Sequence, residues 1–310
     1  METETQMQNY MRRCLQLAAC GRQGAHPNPM VGAVIVAADG RIIGEGYHVR
    51  CGEAHAEVNA FRSVKAEDEA LLSEATIYVS LEPCAHYGKT PPCADLIIKK
   101  GVRRVVVGCV DSFDRVAGRG IERLRAAGIE VMVGVLEEEC RWLNRRFFTF
   151  HRLHRPYITL KWAETADGFI DDHFHPLAIS TPFTRMLVHR LRAENDAIVV
   201  GRVTNEREHP RLNVRHWHGP SPRRIVVDGQ HPLNLEALYT QGIQTLLVEG
   251  GATTLQRFID QGLWDEIRVE TSQQTVGDGT PAPTLPKARR LISRELFDGN
   301  IITRFAASTL

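Results

Sequence analysis

The sequence predicts an α/β protein made of two consecutive layered units, and three observations carry that expectation. Apolar, strand-like runs alternate with amphipathic helical patterns along most of the chain, as in a largely parallel sheet covered by helices. Arg155-Pro156 interrupts the series, and a second series of strands and helices starts directly after it. A chain of 310 residues, 43% hydrophobic and 24% charged, suits two globular domains better than one. The domains are therefore expected to be 1–152 and 153–310.

Each element has its own reason. Met7, Tyr10, Met11, Cys14, Leu15 and Ala18 recur at helical spacing and stop at Gly21, which predicts a first helix whose apolar stripe faces a core. Residues 31–37 and 41–47 flank Asp39-Gly40 and predict a hairpin. Val58, Phe61 and Val64 continue a helix that starts at His55, so His55 and Glu57 are expected in its first turn. A buried strand over 76–81, a helix from Cys93 to Gly101, a strand over 104–110, a helix near 120–127 and a strand over 129–133 follow. One helix over 137–150 closes the unit, and its Glu137-Glu138-Glu139 run suits a helix N-terminus. In the second unit, strands are expected at 157–163, 197–201, 225–228, 246–249 and 266–270. Helices are expected after Pro182, capped by Ser180 or Thr181, and over 253–261.

His55-Ala56-Glu57, with Pro83-Cys84 and a later Cys93, carries the chemistry of the first unit. One imidazole and two thiolates suit a borderline-soft ion such as Zn²⁺, and three protein ligands leave its fourth position to water. Metal binding lowers the pKa of water to roughly 7. Glu57 is not a ligand, and two residues after the His it is placed to move protons between that water and departing ammonia. The set reads as a zinc-dependent hydrolytic deaminase. Two plainer readings compete with it. The seven cysteines can be buried hydrophobes, or the zinc can be structural, with Cys51, His48 or His86 as a fourth ligand.

Composition narrows the partners. A formal net charge of +1 argues against a broad nucleic-acid surface. An odd cysteine count beside a metal motif indicates a reducing compartment. No apolar run approaches transmembrane length and the first nine residues are polar, so a cytoplasmic protein is expected. In the second unit, Glu249-Gly250-Gly251-Ala252 lies between a strand and a helix. Glycines there let backbone amides approach a phosphate, and a simple tight turn fits the same residues.

The zinc motif, together with His26-Pro27-Asn28-Pro29-Met30-Val31-Gly32 and Leu81-Glu82-Pro83-Cys84-Ala85-His86-Tyr87-Gly88-Lys89-Thr90-Pro91-Pro92-Cys93, resembles the bifunctional deaminase/reductase family of riboflavin biosynthesis. Eight residues separate the two cysteines, whereas nucleic-acid deaminases carry about two in their Pro-Cys-x-x-Cys signature. The resemblance implies a cytidine-deaminase-like first domain that hydrolyses the 2-amino group of a diaminopyrimidinone ribosylamine phosphate. It makes His55, Cys84 and Cys93 zinc ligands, Glu57 the proton shuttle, and Asn28, His48, His86 and Lys89 substrate contacts.

The second half resembles the family's reductase domain, through Lys161-Trp162-Ala163, Asp167-Gly168, His189-Arg190-Leu191-Arg192, Pro210-Arg211-Leu212-Asn213-Val214-Arg215 and Val248-Glu249-Gly250-Gly251-Ala252. The resemblance implies a dihydrofolate-reductase-like α/β fold that uses NADPH to reduce the ribosyl group to a ribityl chain. Ala163, Thr204, Glu208, Gly251, Ala252 and Thr253 would then lie near NADPH, and Arg192, Leu212, Arg215 and Glu249 near substrate. Five features depart from the family, the first being Gly201-Arg202-Val203-Thr204 in place of a Gly-x-Gly-Thr-like run. Asp111-Ser112-Phe113-Asp114 replaces a Pro-Asn-Pro-like stretch, Glu208 stands where Asp is expected, and Pro176 replaces a Ser. The segment between Asp228 and Leu246 is shortened and is expected to lack a strand and a helix. A deaminase whose degenerate second domain only binds ligand or builds an oligomer is the alternative, with a tRNA-type nucleoside deaminase or a structural zinc module behind it. The family implies a homo-oligomer acting on a phosphorylated small molecule, with neither nucleic acid nor membrane as partner.

Overall fold

The first helix, α1 (Glu4–Cys20), begins at a reciprocal cap: the Thr3 hydroxyl accepts the Gln6 N–H, and the Gln6 side chain accepts the Thr3 N–H. It buries Met11, Cys14 and Ala18, as its stripe predicts. A computed structural model describes residues 2–86, 91–111, 118–175, 177–229 and 231–308 of the protein. The chain divides into two compact units, Met1–Leu153 and His154–Leu310. Among the described residues no helix is long and apolar enough to cross a membrane.

In the first unit α1 is followed by β1 (Gly32–Val36), β2 (Ile42–Tyr47), α2 (Ala56–Ser63), a 3₁₀ helix (Ala66–Glu74), β3 (Thr76–Leu81), α3 (Cys93–Lys100), β4 (Arg104–Cys109), α4 (Arg119–Ala126), β5 (Glu130–Val133), α5 (Glu137–Leu143) and α6 (Arg145–Leu153). The sheet runs β2-β1-β3-β4-β5, with β1 antiparallel to both neighbours and β3, β4 and β5 parallel. Successive strand residues point to opposite faces, so one strand feeds two cores. Ile35, Ile77, Val79, Val105 and Val107 pack with residues of α2, α3 and α4. Val34, Tyr78 and Val106 pack with Met11, Cys14 and Cys140. Gly46 on β2 lies against the backbone of Ala56 and Ala60, where a Cβ would collide. That contact sets the start of α2, and with it His55.

The single helix expected over 137–150 is two helices. Asn144 sits at the break, where its Oδ1 accepts the Met30 N–H at 2.8 Å and its Nδ2 donates to Met30 O at 2.8 Å. Periodicity does not register such a break, because the residue that makes it serves a segment 114 positions away.

The second unit contains β6 (Tyr157–Glu164), β7 (Phe169–Asp171), α7 (Pro182–Ala193), β8 (Ala197–Gly201), α8 (Arg202–Glu208), β9 (Arg223–Val227), α9 (Leu235–Thr240), β10 (Thr245–Val248), α10 (Ala252–Asp260), β11 (Glu266–Thr271), β12 (Thr280–Pro281), β13 (Arg289–Phe297) and β14 (Asn300–Ala307). Its main sheet runs β13-β14-β11-β6-β10-β8-β9. The five strands from β11 to β9 are parallel, and β14 and β13 add an antiparallel edge. Thr181 caps α7 by accepting the Thr184 N–H, with Pro182 in the first turn, as expected. The segment between Asp228 and Leu246 does hold a helix: α9, capped by Asn234. The β13–β14 hairpin was not anticipated either. Its signal is Asp298-Gly299, where both residues take positive φ (49° and 86°) in a two-residue turn.

Asn144→Ala removes partners from two Met30 backbone groups and is expected to lower stability by about 1–3 kcal/mol. Urea denaturation measures it. An unchanged midpoint would show that Asn144 merely ends a helix.

Candidate functional site

His55 is the N-cap of α2, just outside the first turn that contains Glu57. Its Nδ1 stands 3.6 Å from Cys84 Sγ and 3.4 Å from Cys93 Sγ. The three donor atoms all lie within 4.8 Å of one another, and among the described residues no other group of His, Cys, Asp and Glu clusters this way. Cys84 follows the end of β3, and Cys93 opens α3. The Cys93 backbone N–H donates to Cys84 Sγ at 3.2 Å. Three separate elements thus deliver one donor each, and the donor set suits Zn²⁺ with one position left open.

The four ionisable groups perturb one another. A hydrogen bond from the Cys93 thiol holds Cys84 below the usual thiol range, and sharing that proton holds Cys93 above it. His55 is raised by its contact with Cys84. Glu57 is 3% exposed, and burial pushes its carboxyl up to about 7, with the nearby Cys84 charge adding to the effect.

His48 is no fourth ligand. Its Nδ1 lies 3.2 Å from Ala54 O and so carries the hydrogen, which leaves Nε2 to accept from Asn28 Nδ2 at 3.1 Å. Burial lowers its pKa and keeps it neutral. Its ring stands edge-on to His55, with centroids 5.2 Å apart. Asn28, expected as a substrate contact, is therefore oriented from behind beside the metal cluster. Cys51 is exposed, as is His86. Lys89, residues 112–117 and Pro176 lie outside the described residues.

Glu82 was missed. It is 5% exposed, and its carboxylate accepts the N–H groups of Gly118 and Gly120 at 2.9 Å, Asp111 at 3.3 Å and Ile121 at 3.4 Å. It ties the turn that leads to Cys84 onto the start of α4. An acidic residue ending an apolar strand, directly before Pro83-Cys84, is the signal that points to it.

In the second unit Arg192 and Glu249 meet in a bidentate pair, with Nε 2.9 Å from Oε1 and Nη2 2.7 Å from Oε2. Burial pushes Glu249 up, but the Arg192 hydrogen bond and the charge of Lys161 outweigh it, so the carboxyl lies below its usual range. Leu212 is buried at positive φ (49°). Arg215 is exposed, and its backbone N–H donates to His189 Nδ1 at 3.0 Å.

The glycine turn is built by the same logic. The Gly251 N–H donates to Thr204 Oγ1 at 3.1 Å, and Gly251 caps α10. The first amides of that helix, at Ala252 and Thr253, have no intrahelical acceptor. A Cβ on Gly250 would press on Thr254 at 3.2 Å, and one on Gly201 would strike the Thr254 hydroxyl. Bare backbone at a helix N-terminus fits a dinucleotide phosphate. Ala163 lies at the end of β6, half-buried, whereas Glu208 is on the exposed end of α8.

Residues 4–109 match the model of the cytidine and deoxycytidylate deaminase zinc-binding region, and residues 156–234 and 230–296 match that of the RibD C-terminal domain. The chain is thus a two-domain enzyme, a zinc-binding deaminase domain followed by a reductase domain. Over 318 residues it is 38% identical to the riboflavin biosynthesis protein RibD of Aquifex aeolicus, covering 87% of this chain and 88% of that one. RibD of Actinobacillus pleuropneumoniae is 44% identical over 235 residues, which span 75% of this chain and 61% of the relative. The crystal structure of a diaminohydroxyphosphoribosylaminopyrimidine deaminase/5-amino-6-(5-phosphoribosylamino)uracil reductase from Thermotoga maritima superposes with a TM-score of 0.87 at 33% identity, over 98% of this chain and 99% of that one. RibD of Acinetobacter baumannii gives 0.86 at 31% identity, over 98% and 99%. The chain belongs to the RibD family of riboflavin biosynthesis proteins, whose two domains go with zinc and NADPH.

His189 carries a pH signature. It is 1% exposed, and burial, reinforced by the Arg192 and Arg215 charges, pushes its pKa down to about 4. Below about 6.5 the unfolded chain takes up a proton that folded His189 refuses, so stability falls as the pH drops from there toward 4. Denaturation midpoints between pH 7 and 4 are expected to fall less steeply in His189→Gln than in the wild type. Parallel curves would remove His189 from the account.

Proposed function

We propose that the first unit hydrolyses the 2-amino group of a 2,5-diamino-6-ribosylamino-pyrimidinone phosphate and that the second uses NADPH to reduce the ribosyl group to a ribityl chain. The observation that carries the first half is Glu57, an unligated carboxyl buried beside three zinc-type donors. His55, Cys84 and Cys93 hold the metal, which when bound supplies Lewis-acid activation of water. Glu57 takes the two protons of the attacking water in turn, passing the first to the ring nitrogen and the second, released as the carbonyl forms, to the departing amine, which leaves as ammonia. Asn28, oriented by His48, offers its amide to the pyrimidinone. His86 and Lys89 are further contacts on the Cys84–Cys93 connection.

In the second unit the amides of Ala252 and Thr253, with Gly251 pinned to Thr204, hold the dinucleotide phosphates. NADPH supplies the hydride. Ala163 and Glu208 belong to the same cofactor site, and Arg192, Leu212, Arg215 and Glu249 to the substrate site, where guanidinium forks suit a phosphate. The short segment after Asp228 is compatible with reduction: the Thermotoga chain, whose description includes both activities, is covered over 99% of its length. The same reading makes the protein a cytoplasmic homo-oligomer divided at residues 152 and 153, for which sedimentation equilibrium tests the oligomer.

Zinc-loaded protein incubated with the diaminopyrimidinone ribosylamine phosphate, with and without NADPH, is expected to give deaminated product alone without NADPH and deaminated, reduced product with it, as read by mass spectrometry. Deamination without reduction would leave the second domain as a ligand-binding or oligomerising module, and no deamination would sink the proposal. Glu57→Gln is expected to keep its zinc by metal analysis while losing about 10²-fold or more in turnover. Cys84→Ser is expected to lose the metal itself. Retention of both zinc and turnover in Glu57→Gln would make the centre structural.

A further inference from the structure

Residues 25–31 carry the half-buried Asn28 to the side of His48, and their backbone is held from behind. The Asn28 N–H donates to Ala25 O at 2.8 Å, and Val31 O accepts the His48 N–H at 2.9 Å. Between those two points lie Pro29, which has no N–H, and Met30. Both backbone groups of Met30 go to one side chain, Asn144, at 2.8 Å each. Asn28 gives its Nδ2 to His48 Nε2 at 3.1 Å, and His48 Nδ1 gives its hydrogen to the carbonyl of Ala54, the residue before His55. An unbroken series of contacts thus runs from Asn144 through Met30, Asn28 and His48 to the start of α2.

Asn144 is 2% exposed. Backbone bonds of helical type continue on both sides of it, from the Asn144 N–H to Cys140 O at 3.4 Å and from the Phe148 N–H to Asn144 O at 3.0 Å. Those bonds need only the backbone of residue 144. Its side chain serves Met30: a planar amide offers a donor and an acceptor side by side, the pairing that a strand neighbour would give. Asp at this position would offer acceptors only, and an apolar residue would leave both Met30 groups without this partner. Asn is a poor helix former because it competes for backbone hydrogen bonds, so its use between two helices answers a demand made elsewhere in the fold. His55 is placed by a different contact, the close approach of Gly46 to the backbone of Ala56 and Ala60. Loosening of Met30 therefore reaches Asn28 without displacing the metal donors.

We propose that Asn144 is a positioning residue of the deaminase: from the junction of α5 and α6 it fixes, through Met30, where Asn28 stands for substrate, while the metal centre holds its geometry independently. This role rests on the deaminase reading of the first unit, in which Asn28 meets substrate. A side chain that places a binding group without touching the reacting atoms acts on affinity. Its loss raises KM and leaves kcat nearly unchanged.

Steady-state deamination of the diaminopyrimidinone ribosylamine phosphate by the full-length, zinc-loaded protein, without NADPH, tests this role in Asn144→Ala beside Cys140→Ala. Cys140 is buried on α5 and packs with Met11 and Cys109, so its truncation loosens the same helix while leaving the Met30 bonds in place. Asn144→Ala is expected to raise KM about tenfold, the equivalent of one lost hydrogen bond, with kcat nearly unchanged and zinc retained by metal analysis. Amide exchange at Met30 is expected to quicken in the same variant. Cys140→Ala is expected to keep the KM and the Met30 exchange of the wild type. An unchanged KM in Asn144→Ala overturns the proposal, and so does Met30 exchange as slow as in the wild type. An equal rise of KM in Cys140→Ala, a loss confined to kcat, or a loss of zinc overturns it too, since each makes Asn144 a general support of the domain. If Asn144→Ala does not fold, Asn144→Gln, which carries the amide one methylene further out, serves in the same comparison. A wild type that does not deaminate refutes the deaminase reading and this role with it, whereas an active wild type matched by its variants removes Asn144 alone.

Discussion

A charged or ionisable group taken out of water must be given a partner by the fold. In the first unit the obligation falls on four side chains that would otherwise repel or desolvate one another: Cys84, Cys93, Glu57 and His55. The fold brings the two sulfurs and the imidazole within 4.8 Å and seals Glu57 behind them. A cation is the natural solution to that arrangement, and the open fourth position follows from there being three donors. Glu57, excluded from the donor set, is buried beside it, and burial pushes its carboxyl above the usual range.

The scaffold achieves this with strand ends and helix starts. His55 caps α2, Cys93 opens α3, and Cys84 leaves the end of β3. A helix N-terminus presents unpaired amides and favours negative charge, which suits a thiolate, and the Cys93 N–H does donate to Cys84 Sγ. Glu82 exploits the same property in reverse. It is an anion supplied by the fold to satisfy the amides of Gly118, Gly120 and Ile121, locking the Cys84 turn onto α4. In the second unit the start of α10 is left bare instead, with glycines where side chains would cover it. One structural device thus serves as metal support and internal clamp in the first unit, and is left uncovered at the start of α10 in the second.

Much of this was legible in the residues. The His-x-Glu and Pro-Cys spacing forecast the cluster because its parts are local, each at the end of one element. The strand and helix alternation forecast the parallel sheets, and Thr181-Pro182 forecast the start of α7. Other features were not legible for identifiable reasons. The break at Asn144 answers a backbone segment far away in sequence. His48, a candidate ligand or substrate contact, spends one nitrogen on Ala54 and the other on Asn28. The helix α9 was overlooked because its six residues, Leu235–Thr240, are too few to establish a period.

By itself, the sequence determined the alternation of strands and helices, the two-part organisation and the His55, Cys84 and Cys93 donor set, because these depend on residue type and short-range spacing. Tertiary structure alone decided which charges are buried and with whom they pair. Glu266-Ile267-Arg268-Val269-Glu270 has the pattern of a half-wet strand, and only its position between β6 and β14 makes both faces dry. Burial is a property of the neighbours a strand acquires, and those neighbours lie roughly a hundred residues upstream and a few tens downstream. The same holds for Arg192, on α7, and Glu249, just beyond β10, which lie 57 positions apart and meet at 2.7 Å only in the folded chain.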